Sequence, residues 1–210
     1  MIYNDSKNWL DYTKHILQWE GKTSKDPQDT ASKCVNAGQI HTNKGVTYCT
    51  FKDNAERLKI TPVSYERFLN LTDEDVAKFI YSFYKNVNGQ NFPDSIALAM
   101  TESAWGSGTE RAYKHLYDAL KDLGQEAKTK SEAVINASKI PEKVLFDLYL
   151  TKRRQYLEFL GKSEKYSKFL NGWLNRFNSF YNNFNLDNLK KNKSNFTLED
   201  FFTKLLNFSK

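Results

Sequence analysis

Cysteine, histidine and long apolar stretches are scarce in this sequence. Its 210 residues include two cysteines, Cys34 and Cys49, and three scattered histidines. Neither set has the spacing of a structural zinc site, so we expect no metal ion and no cofactor. No run of 18 apolar residues occurs either, and a membrane-spanning helix is therefore not expected.

The N-terminal residues lack the basic-then-apolar plan of a secretion signal. This absence predicts synthesis in a cytoplasm. Disulfides are rare in that compartment, which favours free thiols at Cys34 and Cys49. The two cysteines nevertheless flank one predicted hairpin and could approach each other, so their pairing stays open.

Positive charge exceeds negative charge, and lysine supplies most of it. Lys and Arg number 31 against 25 Asp and Glu, which gives a formal net charge of +6, and 25 of the 31 basic residues are lysines spread along the chain. Two interpretations stay open: attraction to an anionic polymer, or a solvated lysine-rich surface. A nucleic-acid partner is not expected, because no motif of arginines interleaved with aromatic residues occurs.

The hydrophobic pattern predicts a mainly α fold in one main domain. With 40% hydrophobic residues, the chain can bury one sizeable core. A helix over residues 7–19 places Trp9, Tyr12, Ile16 and Trp19 on one face. Later helices, each with apolar residues at helical spacing, are predicted to begin near Thr72, Pro93, Thr109, Pro141 and Ser163.

Residues 22–49 break the helical pattern. Asp, Asn, Gly and Thr dominate this segment, and Pro27 marks a turn. Alternation around Val46, Tyr48 and Phe51 predicts a strand, and hence a small β-hairpin that lines a cleft.

Three segments make up the predicted domain organisation. Residues 1–184 form the main domain, and residues 185–196, rich in Asn and Lys, form a polar linker. Residues 197–210 form a short C-terminal helix, which could pack back on the domain or dock on a partner.

Glu20, Asp29 and Thr42 form the candidate catalytic set. Glu20 ends the first predicted helix beside Trp19, and a carboxylic acid held against an apolar surface can keep its proton near neutral pH and give it to a glycosidic oxygen. Asp29 would stabilise positive charge on the sugar or activate a water. The structural alternatives are a solvated glutamate, an aspartate that caps a turn beside Pro27, and a plain hairpin threonine.

Three blocks of the sequence resemble glycoside hydrolase family 108, the phage and secretion-associated N-acetylmuramidases of the lysozyme superfamily. The first comprises Trp-Glu-Gly, Asp-Pro-Gln-Asp and Thr-Asn-Lys-Gly-Val-Thr at residues 19–21, 26–29 and 42–47. The second is the small and apolar segment 97–108. The third combines Arg153 or Arg154 with Tyr156 and the segment 169–176. The blocks occur in the family's order, which makes chance similarity less plausible than for any single block.

The resemblance implies a lysozyme-like helical domain with a small β-hairpin beside the active-site groove. It also implies cleavage of the β-1,4 bond between N-acetylmuramic acid and N-acetylglucosamine. Glu20 would be the general acid, while Asp29 and Thr42 would hold a water or stabilise the oxocarbenium-like transition state. The sequence does not fix the separation of the two carboxylates, so retention and inversion of configuration both stay open.

The candidate substrate-binding residues are Asp26, Asn43, Tyr84, Glu102 and Trp105. Asp26 and Asn43 could instead shape turns, and the two aromatic residues could belong to the core instead of stacking on sugars. Glu102 lies in an apolar helix, so it either faces the groove or pairs with an arginine, for which the candidates are Arg153, Arg154 and Arg176.

The chain also departs from the family pattern. Lys22 stands in place of a second glycine, Lys85 in place of a tryptophan and Gly106 in place of an asparagine, and Glu102 replaces an aspartate. The segment between Asp29 and Thr42 is longer than usual, which predicts an extra loop around residues 34–39. The candidate general acid is unaffected by these changes.

By this resemblance the protein is a phage endolysin or a virion-associated lysin. It would be made in the bacterial host cytoplasm and act on peptidoglycan at the cell wall or in the periplasm, and its C-terminal helix could contact other phage virion proteins. The alternative is a non-catalytic virion or tail protein that keeps the lysozyme-like fold as a glycan-binding module. The departures at Lys22, Lys85 and Gly106 favour this alternative.

Overall fold

The structure is a computed structural model that describes residues 6–21 and 23–191. Lys22 and the predicted C-terminal helix over residues 197–210 lie outside the described residues. The α-helices in the described part are α1 (Ser6–Trp19), α2 (Tyr48–Asn54), α3 (Tyr65–Leu69), α4 (Asp73–Asn86), α5 (Asp94–Ser107), α6 (Thr109–Asp122), α7 (Lys130–Ala137), α8 (Glu142–Gly161), α9 (Glu164–Ser167), α10 (Leu170–Phe184) and α11 (Leu186–Lys191). The strands are β1 (Thr23–Ser24), β2 (Thr42–Asn43) and β3 (Val46–Thr47).

The contacts divide the chain into two compact units. The N-terminal unit contains Trp9–Tyr81, and the C-terminal unit contains Ser82–Phe196, of which the structure describes residues up to 191. One boundary therefore falls within α4, and another falls within α1, whose residues 6–8 belong to the C-terminal unit.

Aromatic residues form much of the core of the N-terminal unit. Phe51 of α2 lies 5.7 Å from Phe68 of α3 and 6.5 Å from Phe79 of α4, measured between ring centroids. Tyr12 and Ile16, four residues apart on α1, are also fully buried. Residues at this spacing lie on one helix face, which explains why α1 packs with that side inward.

The three short strands form an antiparallel sheet in the order β1-β2-β3. Thr42 pairs with Ser24 on one side and with Thr47 on the other. Lys44 and Gly45 connect β2 to β3 with φ values of 48° and 79°. A two-residue hairpin turn with both φ values positive matches the twist of the strands, and glycine adopts such a φ at little cost.

The strand predicted around Val46, Tyr48 and Phe51 is only partly correct. β3 ends at Thr47, and Tyr48 begins α2. The Thr47 side chain accepts a hydrogen bond from the backbone N–H of Thr50 at 3.1 Å, as an N-cap does. This cap converts the chain to helix at a point where the alternating pattern alone suggested a longer strand.

Cys34 and Cys49 form a disulfide, so the prediction of free thiols is wrong. Cys34 ends a 3₁₀ helix over Thr30–Cys34, and Cys49 lies in the first turn of α2, with their Cα atoms 5.3 Å apart. The prediction relied on the compartment of synthesis, which contains no information about this geometry. The bond ties the segment that follows Asp29 to the helix that follows the hairpin.

Helix α5 is the most buried element of the C-terminal unit. Every residue from Ser95 to Ala104 is buried. A helix that is apolar on all sides is expected in the interior, and α5 packs against α6 and α8. The predicted helix starts near Pro93, Thr109 and Pro141 agree with the structure within about two residues.

The segment predicted as a polar linker is partly helical. α11 covers residues 186–191, and its Leu186 and Leu189 are buried. The Asn185 side chain accepts a hydrogen bond from the N–H of Asn188 at 3.1 Å at the start of this helix. Two leucines on one helix face are thus buried in a segment whose overall composition is polar.

The predicted fold class, a mainly α lysozyme-like fold with a small β-hairpin, is confirmed. No helix in the described part of the chain is long and apolar enough to cross a membrane.

Candidate active site

Glu20 follows α1 directly and remains attached to its last turn, because its backbone N–H donates to the Ile16 carbonyl at 2.9 Å. Its side chain is half-buried. The carboxylate lies against the backbone of Gly45 in the hairpin turn: a Cβ placed on Gly45 would lie 2.8 Å from Cγ of Glu20 and would overlap the carboxylate. Glycine at position 45 therefore makes room for the Glu20 side chain.

The hairpin is anchored within the N-terminal unit by Asn43. This buried side chain donates from Nδ2 to the carbonyl of Phe68 at 2.8 Å and to that of Leu69 at 3.1 Å, at the end of α3. Next to it, Lys44 forms an ion pair with Asp73. Asn43, predicted to bind substrate, is thus engaged in fixing the hairpin that faces Glu20.

Asp26 and Asp29 shape one turn. Asp26 Oδ1 accepts from the N–H of Gln28 at 2.9 Å, and the N–H of Asp29 donates to the Asp26 carbonyl at 3.0 Å. Asp29 Oδ1 accepts from the N–H of Ala31 at 2.9 Å and so caps the 3₁₀ helix. The Asp29 side chain is exposed, and the cap fixes its orientation through one of its two oxygens.

Thr42 is joined to the same turn through His41. Thr42 Oγ1 lies 2.8 Å from Nδ1 of His41, and His41 Nε2 lies 3.1 Å from the carbonyl oxygen of Asp26. His41 is 1% exposed. His41 received no role from the sequence, in which its position next to Thr42 was the one available signal.

Tyr84, Glu102 and Trp105, the other predicted substrate-binding residues, belong to the C-terminal unit. Tyr84 is buried, with its ring packed against Gly89. Trp105 is partly exposed and contacts the ring of Phe83 edge-on, with 5.4 Å between centroids. The burial of Tyr84 favours the core alternative over stacking on a sugar.

Glu102 is completely enclosed, which contradicts direct contact with a substrate. Its Oε1 accepts from Arg176 Nε at 2.7 Å and from Arg153 Nη2 at 3.2 Å, and its Oε2 accepts from Arg176 Nη2 at 3.2 Å. Arg154 instead pairs with Glu158. A carboxylate in the interior requires such partners, and the ion-pair alternative is the one found.

The N-terminal unit therefore combines Glu20, Asp29 and Thr42 with two structural residues, Asn43 and His41, that fix the hairpin and the turn. Hydrolysis of a glycosidic bond commonly uses two carboxyl groups, one as general acid and the other as base or nucleophile, and this unit offers such a pair in Glu20 and Asp29. In the described ranges, no three His, Cys, Asp or Glu side chains are arranged to hold a metal ion.

Known proteins resemble this chain in part of its sequence and in its fold. Residues 13–108 match the family model described as Glycosyl hydrolase 108. No curated protein matches the chain. The structure of SagA from Brucella abortus is similar in fold, with a TM-score of 0.63 and 19% sequence identity over 90% of this chain and 97% of that one. The matched segment contains Glu20, Asp29 and Thr42, and over residues 13–108 the chain is therefore similar to the glycosyl hydrolase 108 family.

Proposed function

We propose that this protein is a peptidoglycan hydrolase of the N-acetylmuramidase type, which cleaves the β-1,4 bond between N-acetylmuramic acid and N-acetylglucosamine. The observation that carries the proposal is the placement of Glu20. Its carboxylate is held against the Gly45 turn, inside the segment that matches a glycosyl hydrolase family.

Glu20 acts as the general acid that protonates the leaving glycosidic oxygen. Proton transfer by a positioned side chain contributes about 10²–10⁴ in rate. Asp29, oriented by its cap on the 3₁₀ helix, stabilises positive charge that develops on the sugar or helps to activate the water. Thr42 binds that water through its hydroxyl.

The resemblance to phage and secretion-associated muramidases supports a biological setting for this activity. We propose that the protein acts at the bacterial cell wall, as a lysis enzyme or as a virion component. Peptidoglycan is the partner in both cases. Contacts with other virion proteins through residues 197–210 are part of the same proposal.

Digestion of purified peptidoglycan tests the proposed function. The new reducing ends are labelled by borohydride reduction and identified by mass spectrometry. A muramidase produces ends at N-acetylmuramic acid, whereas a glucosaminidase produces ends at N-acetylglucosamine. Release of peptides without new reducing ends would contradict glycosidase chemistry.

The matched variants are Glu20→Gln and Glu56→Gln. Glu56 is an exposed glutamate of the same unit that follows α2. Glutamine keeps the shape of each side chain but cannot donate an acid proton, so Glu20→Gln should lose at least about a hundredfold in rate, and Glu56→Gln should keep it. If Glu20→Gln retained more than half of the wild-type rate, the assignment of the general acid would be wrong.

A further inference from the structure

His41 connects the two parts of the candidate site that approach each other in space but lie apart in sequence. Its ring contacts the Asp26 carbonyl through Nε2 and the Thr42 hydroxyl through Nδ1. The backbone on both sides is fixed as well: the N–H of His41 donates to the Ser24 carbonyl at 3.0 Å, and the N–H of Tyr48 donates to the His41 carbonyl at 2.8 Å. The buried ring is therefore held in one orientation.

In a neutral His41 ring, the two contacts determine the direction of both hydrogen bonds. A carbonyl oxygen can only accept, so the proton of a neutral His41 ring lies on Nε2 and is donated to Asp26. The same carbonyl also accepts from the N–H of Asp29, which occupies both of its lone pairs. Nδ1 then has a lone pair and no proton, so the Thr42 hydroxyl donates to it.

A threonine hydroxyl has a single proton and two lone pairs. Once the proton is donated to His41, Thr42 can interact with a further group only as an acceptor. A water bound to Thr42 must then donate one of its protons to Oγ1, which leaves the lone pairs of the water oxygen available for attack on carbon.

We propose that His41 is a positioning residue that fixes the Thr42 hydroxyl as a hydrogen-bond acceptor for the reacting water. The inference rests on the proposed function, because it assigns the water of the glycosidase reaction to Thr42. His41 lies outside the predicted catalytic set, and the two contacts of its ring define the role proposed for it. Without His41, the hydroxyl is free to rotate and to donate its proton to the water, which orients the water incorrectly.

Two conservative substitutions separate the two contacts of the ring. Asn has its side-chain oxygen as many bonds from Cα as Nδ1 of His, so His41→Asn keeps an acceptor for Thr42 and loses the donor to Asp26. Gln has its amide nitrogen as many bonds from Cα as Nε2, so His41→Gln keeps the donor to Asp26 and loses the acceptor for Thr42. Each is combined with Thr42→Val, which removes the hydroxyl and keeps the shape.

The measurements are kcat and KM on a soluble peptidoglycan fragment, together with thermal unfolding of each variant. We expect His41→Gln to lower kcat about tenfold with little change in KM, a size typical of coupling between directly contacting residues. His41→Asn should stay within about twofold of the wild-type kcat while losing thermal stability. In the Thr42→Val background, His41→Gln should have no further effect on kcat.

The double-mutant cycle distinguishes positioning from a structural role. If His41→Gln lowered kcat equally with and without the Thr42 hydroxyl, or if His41→Asn lowered it as much as His41→Gln, the inference would be overturned while the proposed function stood. The proposed function fails separately, if the wild-type protein produces no ends at N-acetylmuramic acid or if Glu20→Gln remains active, and this role of His41 then fails with it.

Discussion

The carboxylate of Glu20 lies against the backbone of Gly45, so the residue that ends α1 depends on the turn between β2 and β3 for its position. A side chain at position 45 would occupy the space of the carboxylate. The hairpin turn itself is fixed by Asn43 through the end of α3. The position of the candidate general acid is therefore set by residues far from it in sequence.

Gly45→Ala should displace the Glu20 side chain and lower the rate of hydrolysis by at least about tenfold, within the range that a general acid contributes. Gly38→Ala is the matched control, because Gly38 has a φ of 81°, close to the 79° of Gly45, and has no atom within 4 Å of the added Cβ. Both substitutions cost about 1–2 kcal/mol of backbone strain. Equal activities of the two variants would show that the contact with Gly45 does not position Glu20.

Glu102→Gln should destabilise the protein by about 3–5 kcal/mol, because the buried Arg153 and the partly buried Arg176 would lose their shared carboxylate. Glu158→Gln is the control: it removes an exposed pair with Arg154 and should cost less than about 1 kcal/mol. Denaturant unfolding measures both free energies. A small effect of Glu102→Gln would contradict a structural role for this residue.

The stability of the C-terminal unit should decrease as the pH falls from about 6.5 to about 4. Burial, reinforced by the positive charges of Arg153 and Arg111, lowers the pKa of His115 from 6.5 to about 4. The unfolded chain thus binds a proton in this pH window and the folded chain does not, so the stabilisation is complete above the unfolded pKa and is lost on acidification.

The expected loss attributable to His115 is about 3 kcal/mol, since one pKa unit corresponds to about 1.4 kcal/mol. Urea unfolding of the wild-type protein and of His115→Leu, each at pH 7 and at pH 4, isolates this contribution from that of the carboxyl groups. The difference in unfolding free energy between pH 7 and pH 4 should be smaller for His115→Leu than for the wild-type protein. An unchanged dependence would assign the loss to other groups.

A protein that ends after residue 191 should fold and hydrolyse peptidoglycan. The residues that it lacks, 192–210, lie beyond the matched family segment, which ends at residue 108. A protein that ends after Asn185 also lacks α11. Its unfolding free energy should be lower by several kcal/mol, since burial of each leucine contributes about 1.5–3 kcal/mol. Thermal unfolding of the two truncated proteins measures the difference. Equal stabilities would mean that Leu186 and Leu189 contribute nothing to the core.

Helices with long apolar periods were predictable from the sequence. α5 and α8 begin where prolines and apolar spacing indicate, since those signals act within one helical turn. The apolar alternation through Tyr48 wrongly predicted a longer strand, because the Thr47 cap begins a helix without changing the apolar pattern. α11 was missed for a related reason: two buried leucines in a polar segment leave its composition almost unchanged.

The candidate site was predictable in part. Glu20, Asp29 and Thr42 lie in one compact unit, while their catalytic roles stay predictions. The pairing of Cys34 with Cys49 and the two contacts of His41 were not accessible from the sequence, because both depend on segments brought together by the fold. Glu102 is an intermediate case. Its position in an apolar helix indicated an arginine partner as one alternative, but the identity of the partners, Arg153 and Arg176, depends on how α8 and α10 pack.

The disulfide between Cys34 and Cys49 closes a covalent ring that contains His41, Thr42 and the whole β2–β3 hairpin. A protease that cuts one peptide bond within residues 35–48 would therefore release no fragment, and the two ends would stay joined until the disulfide is reduced. Glu20 and Asp29 lie outside the ring, in the chain that precedes it. Nicked protein would migrate as one species under non-reducing conditions and as two fragments after reduction.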